Sequence, residues 1–491
     1  MIKKIVLMLA IIFSGLVITD SSIIFQIKNN VCFAEEFNDE TDSFGEDEMS
    51  QETFPEVDFS VTENVEISSA SKFSSGGFVK QSAEYGFNKN DNKLSKLKSA
   101  LSADISYKIS PNWYSRISGY GYFDFAYKIN GRDKYIDETL DDNESELNLR
   151  ECFIDGKLSE NTTIKAGRQI IAWGESDFSR VNDIVNPRDM KQPGLTNLED
   201  ARLPVAAIKL SYESDKNIVA FLTIHEQYGS SISTNGSDYD YFSSLRMPGI
   251  TINEEESPDT NIENTGFAFR FTRMFNGGDI SFYAGETFAR LPVLTADSIE
   301  FAGPALQSIN LTPNYFKYRM FGISGKKTNG SLLYKFESAF LADKEIMRND
   351  FTTGITPAMT ASMLDTNDEI DQLKLLLGIE YSGISNLRLS LEAENIHTPD
   401  YKGYYIIDKN NISLFFQSVY TLLNNTLELD LFWVYLNRGD GNILRLSANY
   451  DIIDNLNLEA GIIIYDAASK ISVLHPYKEQ DRIFTRIKYS F

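Results

Sequence analysis

From about residue 74 to its end the chain alternates apolar and polar residues with a period of two. Leu373, Leu375, Leu377, Ile379 and Tyr381 alternate with Lys374 and Glu380. Leu387, Leu389, Leu391 and Ala393 alternate with Arg388, Ser390, Glu392 and Glu394, and Leu427, Leu429, Leu431, Trp433 and Tyr435 with Glu428 and Asp430. Phe267, Phe269 and Phe271 alternate with Arg270 and Thr272. A helix would scatter these residues around its axis; a strand puts them on opposite faces, one suited to lipid and one to water. The pattern predicts eighteen strands, near 76–87, 98–109, 112–128, 145–158, 162–172, 203–213, 217–228, 263–276, 279–290, 314–327, 331–343, 371–383, 386–397, 411–423, 426–437, 442–452, 456–466 and 481–491. The first is the weakest pattern, which leaves sixteen open.

The connections follow a rule of their own. Joins after even-numbered strands are tight: Ser110-Pro111, Ser159 to Asn161, Asp215-Lys216, Gly277-Gly278, Thr328 to Gly330, Ile384-Ser385, Asn424-Asn425 and Asp454-Asn455. Gly and Asn tolerate positive φ and suit such turns. Most joins after odd-numbered strands are long, the longest being 173–202, 229–262, 291–313 and 344–370. Short turns on one rim and long loops on the other predict an all-β fold, a transmembrane antiparallel β-barrel of sixteen to eighteen strands with short periplasmic turns and long extracellular loops. The last strand fits: Ile483, Thr485, Ile487, Tyr489 and Phe491 share one face, and Arg482, Arg486, Lys488 and Ser490 the other. A chain ending on an aromatic residue of such a strand resembles the outer-membrane barrels of bacteria, whose final strand is read by the barrel-insertion machinery. Bacterial outer-membrane lipid and lipopolysaccharide are then the expected surroundings.

The first residues predict export. Lys3 and Lys4 precede the apolar run Ile5–Ile18, and Val31 to Ala34 offers a cut after Ala34, so residues 1–34 read as a signal peptide. Cys32 lacks the preceding small residue of a lipidation site, and Cys152 is left without an intramolecular partner. Residues 35–66 hold thirteen Asp or Glu and no Lys or Arg. Such a stretch repels itself and buries too little to offset its ordering entropy, so 35–73 is expected as an acidic, disordered periplasmic arm before the barrel, 74–491. The formal net charge of −24 argues against nucleic acid as a partner. With 25 Tyr, 33 Phe and only 13 Pro the composition suits a barrel, and half of each strand faces water, so a negative mean hydropathy does not exclude a membrane protein.

On this assignment the lumen wall carries Lys374, Glu380, Arg388, Glu392, Glu394, Glu428, Asp430, Arg445 and Glu459, which predicts a hydrated channel with mild cation preference. The most distinctive stretch is Arg168-Gln169-Ile170-Ile171-Ala172-Trp173-Gly174-Glu175-Ser176, followed by Val185-Asn186-Pro187-Arg188-Asp189. It closes one strand and opens the long loop 173–202. Trp173 is expected at the membrane interface. Arg168, Glu175, Arg180, Arg188 and Asp189 are expected as an ion-paired lattice that pins the loop inward, with Glu175, Arg180, Arg188 and Asp189 as the pore constriction.

This R-Q-x-x-x-W-G-E-S … V-N-P-x-D pattern resembles a proteobacterial outer-membrane β-barrel family of unknown function, whose members are large exported β proteins often found beside efflux pumps and periplasmic lipid-handling proteins. The resemblance implies a porin-like role in moving a hydrophobic or lipidic compound, a possible periplasmic or efflux partner, and no catalytic residues. A weaker similarity is to polysaccharide-export porins, whose lumens are strongly basic; the acidic balance here argues against an anionic polymer. Polar walls fit a hydrophilic solute, while the resemblance points to an apolar one.

An enzyme would need a base beside a nucleophile or paired carboxylates. His225, His397 and His475 lie at strand ends or in a loop, with no recognisable partner, so no catalytic residue, cofactor or metal site is expected. The acidic run Asp137 to Glu146 lacks the glycine and ligand spacing of a calcium loop and reads as a solvated loop. The expected function is a channel for a small or lipidic solute. A plugged barrel acting in adhesion, binding or envelope anchoring fits the long loops equally, and a barrel hydrolase fits less well.

Overall fold

The computed structural model describes residues 72–88, 93–196, 201–350, 355–437, 439, 441–468, 472 and 474–491. The expected signal peptide and the acidic arm up to residue 71 lie outside the described residues, and Phe73, placed at the arm's end, already belongs to a strand. Eighteen strands form the barrel wall: β1 (Phe73–Gly86), β2 (Leu94–Ser110), β3 (Trp113–Asp124), β4 (Ser145–Lys157), β5 (Thr162–Gln169), β6 (Val205–Ser214), β7 (Asn217–Ile224), β8 (Gly266–Phe275), β9 (Gly278–Phe288), β10 (Lys317–Asn329), β11 (Leu332–Met347), β12 (Asn367–Ile384), β13 (Leu387–His397), β14 (Asn410–Leu422), β15 (Leu427–Leu436), β16 (Gly441–Ile453), β17 (Leu456–Ala467) and β18 (Arg482–Ser490). Each pairs antiparallel with the next, and β1 pairs with β18 from Phe78↔Ser490 to Gly86↔Arg482, so the sheet closes. Closure gives every strand of the wall a neighbour on each side. Gly77 and Phe491 exchange backbone hydrogen bonds at 3.0 Å, which carries the last residue into the seam.

The weak first strand is therefore real, and the count is eighteen. The two-residue period decides the faces. Leu373, Leu375, Leu377 and Ile379 on β12 are exposed outward, while Gln372 and Leu376 are buried inside. Positive φ occurs in the short turns at Gly277, Gly330, Asn424 and Asn425, as the turn chemistry requires.

Three segments differ from expectation. β3 stops at Asp124 rather than near residue 128, because the Asp124 carboxylate accepts from Leu97 N at 2.8 Å and Ala126 N at 3.0 Å and turns the chain into a short helix, α1 (Ala126–Asn130). The acidic run expected as a loop holds a second helix, α2 (Asp137–Asn143), whose first turn carries Asp137 and Glu138 against the positive helix end. The stretch 291–313 is a hairpin, Val293–Ala302 with Ala305–Asn314, joined in parallel by Ile250–Ile252. Its apolar side, with Leu294, Ile309 and Leu311 buried, packs on Met347 and Leu364 at the long-loop rim.

The main core of the molecule lies inside the barrel. One cluster joins Ile171, Trp173, Val181, Ile184 and Val185 of the β5–β6 connection to Val205, Leu222, Met320, Leu341 and Leu376 of the wall. A second joins Leu195 of the same connection to Phe415, Val434, Ile443, Ile463 and Phe484.

Candidate functional site

The described parts of the β5–β6 connection, 170–196 and 201–204, leave the wall after β5 and run through the lumen. The central anchor is Glu337, which faces inward from β11 and is 1% exposed. Its Oε1 accepts from the backbone N–H of Glu175 at 2.6 Å and of Ser176 at 2.7 Å. Its Oε2 accepts from the backbone N–H of Asn182 at 3.1 Å and from Asn182 Nδ2 at 2.8 Å. Four converging donors make a cradle for one carboxylate. Gly174 makes the approach possible: its φ is +89°, and a Cβ there would lie 2.9 Å from Glu337 Oε2. On β10, a Cβ at Gly322 would lie 1.9 Å from Asn182 Oδ1, so this position too is kept bare for the segment.

Neighbouring wall residues extend the anchor. Lys335 Nζ pairs with Asp177 at 2.6 Å, and Glu392 accepts from Ser176 Oγ at 2.5 Å and Asp177 N at 3.2 Å. Lys374 Nζ donates to Arg180 O at 2.8 Å. Phe178 packs on Phe415 and Phe432, with ring centroids 5.8 and 5.4 Å away. Farther along, Arg445 donates to Gly194 O at 3.1 Å while paired to Asp430 at 3.0 Å. Arg486, paired to Glu459, donates to Leu195 O at 3.1 Å. Tyr465 OH donates to Pro193 O at 2.5 Å. Contacts on β10 to β18 thus hold one segment across the lumen.

The segment also holds itself. Asn186 accepts from Ile171 N at 2.8 Å and donates to Leu203 O at 2.6 Å, tying its two ends together. Arg180 donates to Asp183 O at 2.6 Å and Asn186 O at 2.5 Å, and Arg202 pairs with Asp183 at 3.0 Å. The motif residues do not form a lattice among themselves: Arg168 pairs with Glu226 and Glu175 with Lys326. Trp173 is 4% exposed and lies 5.6 Å from the Tyr283 ring, in the interior core rather than at a membrane interface.

Of the four residues expected at the constriction, Glu175 is half-buried beside Lys326 at 3.3 Å. Burial pushes its carboxyl above the ordinary range, against the pull of Lys326. Arg180 is spent on loop carbonyls. Arg188 is half-buried, its Nε without a partner, and Asp189 is exposed. Desolvation and the nearby Arg180 guanidinium press the Arg188 pKa well below its usual value. Of the expected wall residues, Lys374, Glu392, Asp430 and Arg445 are engaged as above, Glu394 is buried, Glu380 and Glu428 are half-buried, and Arg388 is exposed near the short-turn rim. Sequence reading missed Glu337 and Lys335, although their alternation with Tyr334, Phe336 and Phe340 on β11 marks them as inward. His225 and His397 bond to Thr223 and Asn410 at 2.9 and 2.8 Å, and His475 lies in the loop after β17.

A family model described as a protein of unknown function, DUF1302, matches residues 79–491. No curated protein matches the chain. Among solved structures the barrel is similar to outer-membrane porins. OccAB4 of Acinetobacter baumannii has a TM-score of 0.50 at 10% identity, over 86% of this chain and 98% of that one. OccAB2 of the same organism has a TM-score of 0.50 at 10% identity, over 85% and 98%. OccK9 (OpdG) of Pseudomonas aeruginosa has a TM-score of 0.50 at 9% identity, over 85% and 97%. At such identities the likeness is one of fold.

Proposed function

We propose that this chain, which belongs to the DUF1302 family of proteins of unknown function, is a bacterial outer-membrane channel for a small or lipidic solute, its pore shaped by the inward-folded loop 173–202. The short turns face the periplasm and the long loops the exterior. The observation that carries the reading is the docking of that segment on Glu337 inside the barrel, with Asp189 exposed and Arg188 half-buried beyond the anchor. A wall of eighteen strands encloses a lumen too wide for wall side chains alone to fill, so a segment crossing it sets the free section. Glu175 and Arg180 position the segment; Arg188 and Asp189 meet the solute. The breadth of the segment's contacts also favours a second reading, a plugged barrel that serves in binding or anchoring.

The test is single-channel conductance of refolded residues 35–491 in a planar bilayer, with the reversal potential in a salt gradient. Discrete steps are expected, and replacing Arg188 and Asp189 together by Ala is expected to change step size or selectivity. A folded, heat-modifiable barrel without steps would reject the channel in favour of the plug. Steps unchanged in the double variant would remove these two residues from the constriction.

A further inference from the structure

We infer that the wall has a lateral opening between β4 and β6, through which a single-chain anionic amphiphile passes between lumen and surrounding lipid; this names a substrate class and route for the proposed channel and rests on that reading. β4 pairs with β3 over its whole length, from Phe123↔Ser145 to Trp113↔Gly156. With β5 it forms only six pairs, from Cys152↔Arg168 to Lys157↔Thr163. Every other seam of the wall has at least eight among the described residues. The cause is the inward segment itself. β5 ends at Gln169 and the chain turns into the lumen, and β6 joins the wall at the same level, where Val205 pairs with Gln169. Above that level Ser145 to Glu151 has β3 on one side and, among the described residues, no strand on the other.

A barrel strand needs about 9–11 residues to cross the apolar layer. Six pairs counted from the short-turn rim end before that layer does, so the break reaches into it. Leu147 is 90% exposed, whereas Leu375 and Leu377, flanked by strands on both sides, are 46% and 58% exposed; Leu149, at 51%, lies within that range. Leu147 thus stands free on the broken edge.

An unpaired edge in lipid leaves backbone groups unsatisfied, which such walls do not tolerate. Here polar side chains serve the break. Arg168 Nε donates to Leu149 O at 3.1 Å, its Nη1 pairs with Glu226, and its Nη2 donates to Tyr228 OH at 3.2 Å. It therefore latches β4 to the end of β7. Glu226 accepts from Ala206 N at 2.9 Å, and Tyr228 donates to Pro204 O at 2.5 Å, which completes the far side. Arg150 Nη2 reaches Arg202 O at 3.4 Å across the same gap. Two guanidinium groups at the break, with Leu147 and Leu149 outside them, match an anionic head and an apolar tail. A head group would replace the neutral carbonyl acceptors of Arg168 and Arg150 with anionic ones, while the tail lies along Leu147 and Leu149.

The test uses proteoliposomes holding the chain and a fluorescent lysophosphatidylglycerol, whose movement between leaflets is followed by dithionite quenching, with potassium conductance measured on the same preparations. In a cysteine-free background, a nitroxide at Leu149→Cys is expected to collide with both oxygen and a water-soluble nickel chelate, and one at Leu375→Cys with oxygen alone. Bulk added by Leu147→Trp with Leu149→Trp is expected to slow amphiphile transfer about tenfold, equivalent to about 1.4 kcal/mol on a barrier, with conductance unchanged. Arg150→Ala, which removes a head-group contact and leaves the Leu149 O latch in place, is expected to slow transfer. A nitroxide at 149 shielded from nickel, or transfer indifferent to all these substitutions while conductance persists, overturns the lateral route and leaves the channel. A lysolipid that binds at the break without moving overturns it too. Loss of both transfer and conductance in the unaltered chain overturns the channel with it.

Discussion

Glu337→Ala is the sharpest perturbation of the lumen. It removes one carboxylate and leaves three backbone N–H groups and one amide without their acceptor. Hydrogen bonds to a charged group contribute about 1.5–3 kcal/mol each. Water entering the vacated volume recovers part of that, and breaking a buried charged contact from one side typically costs about 3–5 kcal/mol. The loss falls on docking of the segment, since wall pairing of β11 with β10 and β12 does not pass through the Glu337 side chain. At ~1.4 kcal/mol per decade, opening of the segment should rise by roughly two to three decades. Hydrogen exchange at the amides of Glu175, Ser176 and Asn182 reads this directly in detergent-solubilised protein, and should accelerate by a similar factor while wall amides stay protected. Conductance should become larger and noisier. Glu337→Gln keeps one acceptor oxygen and should fall between. Unchanged exchange at these three amides would refute the idea that the segment hangs on this carboxylate.

Two further outcomes follow from the same geometry. Gly174→Ala forces a side chain into positive φ, a strain of about 1–3 kcal/mol, and against Glu337; it should undock the segment as Glu337→Ala does, and the two should fall far short of additive in a double-variant exchange measurement. The Glu175 carboxyl titrates above its ordinary 4.5 in the docked segment, so the docked form binds that proton more tightly; docking should strengthen as pH falls through the raised value and weaken above it. Open-state events should therefore become rarer at lower pH, and Glu175→Gln should show less of this change than the parent in the same recordings.

The wall was legible because it rests on a rule that acts residue by residue. A two-residue period with lipid on one side marks each strand, and Gly277, Gly330 and Asn424 mark the turns between them. The interior was less legible. Trp173 follows a strand and reads as an interfacial aromatic, yet Tyr283 and the wall's small inward residues Ala207, Ala220 and Ala268 give it a dry place inside. Charged residues such as Glu392 and Arg445 read as bare wall, because alternation tells which face a residue occupies and nothing of what comes to meet it. Glu175 and Arg180 read as constriction residues, but alternation and motif say nothing of their partners, which are Lys326, distant in sequence, and the backbone carbonyls of Asp183 and Asn186. The hairpin 293–314 carried its own signal in Gly303-Pro304, a two-residue turn between Ala302 and Ala305, hidden by its place in a long connection.

One event in the chain links the interior to the wall. By leaving the sheet after Gln169, the chain supplies the segment that fills the lumen, and the same departure shortens the β4–β5 seam to six pairs. Arg168, the last residue of β5 before Gln169, sits where these consequences meet. Its guanidinium holds Leu149 O on one side and Glu226 with Tyr228 on the other, just before the backbone turns towards Asn186 and Glu337. On the proposed route segment and break are coupled: a solute that pulls Arg168 from Leu149 should also loosen the entry of the segment at Ile170, whose N–H donates to Glu151 Oε1 at 3.3 Å. Undocking at Glu337 should in turn weaken the latch, so Glu337→Ala should raise nickel access at Leu149→Cys as well as conductance. Raised conductance with unchanged access at Leu149 would show that lumen and wall move independently.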